Sequence, residues 1–222
     1  MPPPDDRTFP FVRQTIGAVV ATIEGVSEAS KPPEVHYHGP GNAEHELRKA
    51  YYLVTEVGTT FFWDRRAIPG VGADEVVSLY RHAYNSFRAG HRLAAERWAR
   101  AVKHLGRAFA CEARIAYLEP RSAELPYLEG AQPGEYNLHE KIETTGDLLD
   151  SLAEDLPPGL KEMPENMKRY LARGRRHLEV LKGKDYKHEL LRAERIKAAH
   201  EYGRVLECMA LAYEADAART AA

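Results

Sequence analysis

The chain has little that marks a familiar chemistry. No apolar run approaches the ~20 residues that span a bilayer, so no transmembrane helix is expected. Cysteine is scarce: Cys111 and Cys208 are the only two, and no Cys-x-x-Cys occurs. Both lie in apolar helical stretches and read as buried, reduced thiols. A disulfide would require their two helices to pack side by side. There is no Gly-x-x-x-x-Gly-Lys phosphate loop, no Gly-x-Ser-x-Gly elbow and no Glu-x-x-His. The last absence argues against a di-iron bundle, where i and i+3 ligands project together. Net charge is also small, 31 Lys+Arg against 33 Asp+Glu, which gives no global attraction to nucleic acid or anionic membrane. No cofactor is implied. Met1–Asp6 is proline-rich and acidic rather than basic and apolar, unlike a secretory signal, so a cytoplasmic protein is expected.

What the chain does have is helical periodicity. Hydrophobic residues make up 44% of the sequence and charged residues 29%, the balance of amphipathic helices around a sizeable core. Val12, Ile16, Val19, Val20, Ile23 and Val26 fall at helical spacing, although β-branched residues and two glycines leave a strand pair open over residues 10–40. Lys31–Gly41 reads as a loop, with Asn42 as an N-cap. Helices are expected over 42–64, 74–88, 91–118, 136–156, 164–182 and 186–217, punctuated by Pro and Gly. The fold class is all-α: about seven helices in antiparallel hairpins around two long ones, 91–118 and 186–217. The chain reads as a single domain, 1–222, divisible into sub-lobes of about 10–120 and 136–217 joined by loop 121–135.

Residues 91–113 repeat weakly in 188–210. Seven positions are identical at an offset of 97: His91/His188, Leu93/Leu190, Ala101/Ala198, Gly106/Gly203, Arg107/Arg204, Cys111/Cys208 and Ala113/Ala210. The shared core is Gly-Arg-x-x-x-Cys-x-Ala. The preceding helices do not align at this offset, which leaves coincidence between two alanine-rich helices as the competing explanation. Glycine inside a helix costs ~1 kcal/mol relative to alanine. A close approach of another helix is the usual compensation, so the two long helices are expected to cross each other, or their symmetry mates, at Gly106 and Gly203.

Charge is segmented. Residues 65–122 carry 11 Lys+Arg against 5 Asp+Glu, 123–160 carry 1 against 9, and 161–204 carry 13 against 7. Arg100, Lys103, Arg107 and Arg114 form a basic stripe, a candidate binding surface that could track phosphates. Arg169, Arg173 and Arg176 form another. The simpler expectation is that these stripes pair with the acidic 135–155 helix, within one subunit or between two.

Candidate chemistry is sparse. His36, His38, Glu44, His45 and Glu46 cluster closely enough to offer a weak metal site, with His36, His38 and His45 as ligands; the alternative is a polar loop entering a helix. Glu112 sits near an apolar stripe, either as a buried carboxylate or as the stripe's polar edge. Leu79–Ala101, with Gly90 in the turn, resembles one tetratricopeptide hairpin, a single unit rather than an array. Arg195-Ile-Lys-Ala-Ala-His200 resembles the arginine, four to six residues, then histidine of the HEPN family of small helical ribonucleases. Arg97 and His104 repeat a similar spacing. The resemblance implies a catalytic pair at a dimer cleft, His200 as general acid or base and Arg195 steadying phosphorane charge. Ile196 departs from the polar residue the family places after its arginine. Two expectations therefore stand: a non-enzymatic helical interaction protein, homo-oligomeric and of unknown protein partner, or a HEPN-like ribonuclease. Nucleic acid is the less favoured partner and no membrane is expected.

Overall fold

The computed structural model describes residues 43–64, 73–121, 135–157, 160–182 and 189–220. Among them the chain forms six α-helices and no strand: α1 (Ala43–Asp64), α2 (Ala73–Arg88), α3 (Arg92–Leu118), α4 (Glu135–Glu154), α5 (Glu165–Lys182) and α6 (Glu189–Thr220). These are the six helices expected between residues 42 and 217, shifted by a few residues at their ends. The helix expected over 10–27, the 31–41 loop, Asn42, and the loop 121–135 apart from its first and last residues lie outside the described residues. No helix among those described is long and apolar enough to cross a membrane.

Local sequence explains where α2 stops and α3 starts. Gly90 takes φ +81, the left-handed conformation that ends a helix and that glycine adopts without a Cβ penalty. The amide of His91 returns to the Ser86 carbonyl at 2.8 Å, and α3 then runs back against α2. Its stripe of Ala94, Trp98, Ala101, Val102, Leu105 and Phe109 is buried. A 3-10 turn over Glu119–Arg121 closes it at Pro120.

The two long helices, α3 and α6, share the largest interface. They run antiparallel: His91 meets Asp216 at 3.0 Å, His104 meets Glu201 at 2.6 Å and Arg114 meets Glu194 at 2.8 Å. Helices α1 and α2 cover α3, while α4 and α5 cover α6.

This arrangement makes the weak repeat a structural one. At the offset of 97, Leu105/Tyr202, Gly106/Gly203, Phe109/Leu206, Cys111/Cys208 and Ile115/Ala212 are all buried in both helices. His104 and Glu201 are counterparts of each other and touch, as they must on a two-fold axis. The preceding helices obey the same symmetry at an offset of 94. Val76/Tyr170, Val77/Leu171, Tyr80/Gly174 and Ala83/His177 are buried, while Ser78/Ala172, Arg81/Arg175, His82/Arg176 and Asn85/Glu179 are exposed. Glu75 and Arg169, counterparts at that offset, also touch, at 3.3 Å. The offsets differ by three because residues 89–91 join α2 to α3, whereas residues 183–188 join α5 to α6.

The glycines are buried, but the close approach at Gly203 comes from another helix than expected. A Cβ on Gly203 would lie 2.8 Å from Leu148 Cδ2 of α4, and one on Gly174 would lie 3.1 Å from Leu149 Cδ1 and 3.3 Å from Tyr202 Cβ. Adjacent leucines of α4 thus seat against α6 and α5. Leu149 and Tyr202 are fully buried and cannot retreat, whereas Leu148 is half-buried and its tip can turn. Alanine regains ~1 kcal/mol of helix propensity at either site, and overpacking costs about 1–3 kcal/mol. Gly174→Ala should therefore destabilise by about 1 kcal/mol and Gly203→Ala should be near neutral. Urea midpoints check this; the reverse order would contradict the packing.

Candidate functional site

A polar cluster lies inside the second lobe, where α3, α5 and α6 meet. Glu112 of α3 accepts two hydrogen bonds on Oε1, from the Tyr202 hydroxyl at 2.8 Å and from His177 Nε2 at 3.2 Å. Arg195 Nη1 lies 3.4 Å from His177 Nδ1, and Arg195 Nη2 donates to Glu119. Arg173, over the Phe109 ring at 5.6 Å, reaches Glu75 of α2 at 3.0 Å and also bonds the Tyr202 hydroxyl. The chain Glu75–Arg173–Tyr202–Glu112–His177–Arg195–Glu119 thus links five helical elements. Burial, then the neighbouring Glu112 carboxylate, holds the Tyr202 phenol well above its ordinary value.

The sequence singles out three members, Arg173, Arg195 and Glu112, but for other reasons. Glu112 is not a lone carboxylate: partly buried beside the apolar stripe, it is the shared acceptor of the cluster. Arg195 is buried and engaged with Glu119 and His177. His200 is exposed. Five residues along a helix rotate a side chain by roughly 140°, so these two leave α6 on different sides. Partial burial, with Arg204, His104 and Lys141 nearby, holds the His200 imidazole below its ordinary value, against the pull of Glu201. Arg97 and His104 stand seven residues apart and so share one side of α3, where His104 is bonded to Glu201 at 2.6 Å.

The basic stripe is mostly paired, but not to the acidic helix. Lys103 bonds Glu46 of α1 at 2.7 Å, Arg100 bonds Glu96 of its own helix at 2.6 Å, and Arg114 bonds Glu194 of α6. Burial opposes ionisation of Glu46 and of Glu194. Lys103 and Lys49 still hold Glu46 below its usual range, and Arg114 and Lys197 do so for Glu194. Arg107 is exposed and has no ion pair among the described residues. The second stripe behaves likewise, Arg169 and Arg173 binding Glu75 of α2. Among the described residues, Arg175, outside both stripes, pairs with the acidic helix at Asp150. The reason is packing: α4 docks through Leu148 and Leu149, which turns its carboxylates outward.

His36 and His38 lie outside the described residues. His45 sits in the first turn of α1, where Glu44 and Glu46 bind Arg92 and Lys103. No group of three or more metal-ligating side chains occurs among the described residues. Cys111 and Cys208 are free and buried; burial pushes their thiols up to about 12 and about 11. Compared with protein-family models, curated proteins and solved structures, the chain matches none of them.

Proposed function

We propose that the chain is a non-enzymatic helical interaction protein that associates with further copies of itself. The supporting observation is a row of carboxylates on α4. Glu140, Glu143, Asp147, Asp150 and Glu154 recur at spacings of three and four, the stripe of one helix face, and all five are exposed. Among the described residues only Asp150 of this row has an ion pair. The adjoining α5 exposes Lys168, Arg169, Arg175 and Arg176. One copy therefore offers both a negative and a positive helix face, the complementarity that steers association. Arg195, engaged with Glu119, and His200, on another side of α6, give the ribonuclease reading no comparable support.

Sedimentation of the full chain tests this at about 0.05 M and about 0.5 M salt, where screening differs several-fold. An oligomer at low salt that dissociates at high salt is expected. Glu143→Lys with Asp147→Lys should leave a monomer in both. A wild-type monomer at low salt would overturn the proposal.

A further inference from the structure

The internal two-fold lets one lobe serve as a comparison for the other. In the interior, the counterparts of Arg173, His177, Arg195 and Tyr202 are Leu79, Ala83, Trp98 and Leu105, and the counterpart of Glu112 is Met209; all five are buried and apolar. The lobes differ as consistently along the seam where α3 meets α6 and α2 meets α5. A residue on a two-fold axis touches its own counterpart, so a seam between identical lobes sets like against like. Here both such contacts join unlike groups: His104 meets Glu201 at 2.6 Å, and Glu75 meets Arg169 at 3.3 Å.

We propose that this seam is a recognition surface that takes an unlike lobe, from its own chain or from a second copy, and rejects a like one. Two first lobes would set Glu75 against Glu75, and Arg114 against Arg97, the counterpart of its partner Glu194. Two second lobes would set Glu201 against Glu201, Arg169 against both Arg169 and Arg173, and the buried Glu194 against Leu211. His91–Asp216, at the end of the seam, makes no such distinction, because the counterparts His188 and Glu119 would pair in the same sense. The side chains of Glu75, His104, Glu194 and Glu201 are largely buried, where charge is screened least. Juxtaposed like charges suppress the wrong partner, and that repulsion is what makes an interface specific.

A lobe offered in trans makes the same contacts. Each lobe is one continuous stretch, α1–α3 or α4–α6, with its own covering helices, and the chain passes between them once, through 119–134. A second lobe from another copy therefore meets the same residues as the tethered one, and the tether adds only effective concentration. The inference does not rest on the carboxylate row of α4.

Complementary variants of the full chain test it, each also carrying Glu143→Lys with Asp147→Lys so that the α4 row takes no part. His104→Glu with Arg114→Glu sets a first lobe against its own second lobe. Glu194→Arg with Glu201→Arg does so from the other side. The altered first lobe of one variant matches the altered second lobe of the other, and the two remaining lobes are native at the seam. The variants are unfolded in urea and refolded together at about 0.1 mM, below the effective concentration of a tether, with one of them isotope-labelled. Native mass spectrometry should then show a dimer with one copy of each, in roughly tenfold excess over either homodimer. All four seam changes in one chain should give a monomer with a higher urea midpoint than either variant refolded alone. A mixture without that excess would overturn the proposal, whether or not the single variants fold. So would a four-change chain no more stable than they are.

Discussion

Arg195→Ala will lower the free energy of unfolding by about 1–3 kcal/mol, whereas His200→Ala will change it by no more than about 0.5 kcal/mol. The two residues stand five apart on one helix, yet their surroundings differ completely. Arg195 is buried between Glu119 and His177. Its removal leaves His177 Nδ1 without a donor and unbalances the Glu112 carboxylate behind it. A buried acceptor left without its donor carries the full cost of its desolvation. His200 is exposed on another side of α6, and its loss strands nothing. Against a total stability of about 5–15 kcal/mol, the first variant should show a much lower denaturation midpoint and the second almost none. Equal, small effects would mean that Arg195 is not held as described.

Much of the architecture is legible in the sequence because burial needs only apolar residues at the right spacing. The long helix α3 follows from Ala94, Trp98, Leu105 and Phe109, and its start from Gly90. The repeat is visible only where identity survives, in Gly-Arg-x-x-x-Cys-x-Ala. Elsewhere the two-fold preserves burial rather than identity, as at Val76/Tyr170 or Phe109/Leu206, and three extra linker residues shift the offset between one helix and the next.

The polar cluster is not legible, because Glu112, Arg173, His177, Arg195 and Tyr202 are spread over 91 positions and three helices. One signal does exist. Arg195 falls on the buried phase of α6 and Glu112 near that of α3, where a charge needs a partner. Charge composition likewise shows that 123–160 is acidic and its flanks basic, but not which way each helix faces. That is decided by Leu148 and Leu149, which bind α4 through the side opposite its carboxylates.

The second large effect concerns what replaces the cluster. Glu112→Met, His177→Leu and Arg195→Met together give the second lobe an apolar interior like that of the first, with leucine rather than alanine at 177 to avoid a cavity. Tyr202 keeps its bond to Arg173, and Glu119 is half exposed and can hydrate. Where a buried ion network has been replaced whole by hydrocarbon of similar volume, the result is often neutral or stabilising by about 1–4 kcal/mol. The three changes are therefore strongly non-additive. Each of Glu112→Ala and Arg195→Ala destabilises alone, yet the concerted replacement restores the loss.

Urea unfolding of the wild type, Arg195→Ala and the triple variant, side by side, is the most direct measurement. If the two lobes are two versions of one design, the triple variant will be within about 1 kcal/mol of the wild type or above it. A triple variant less stable than Arg195→Ala would show that the second lobe needs its charges to fold, and would contradict the equivalence of the two lobes.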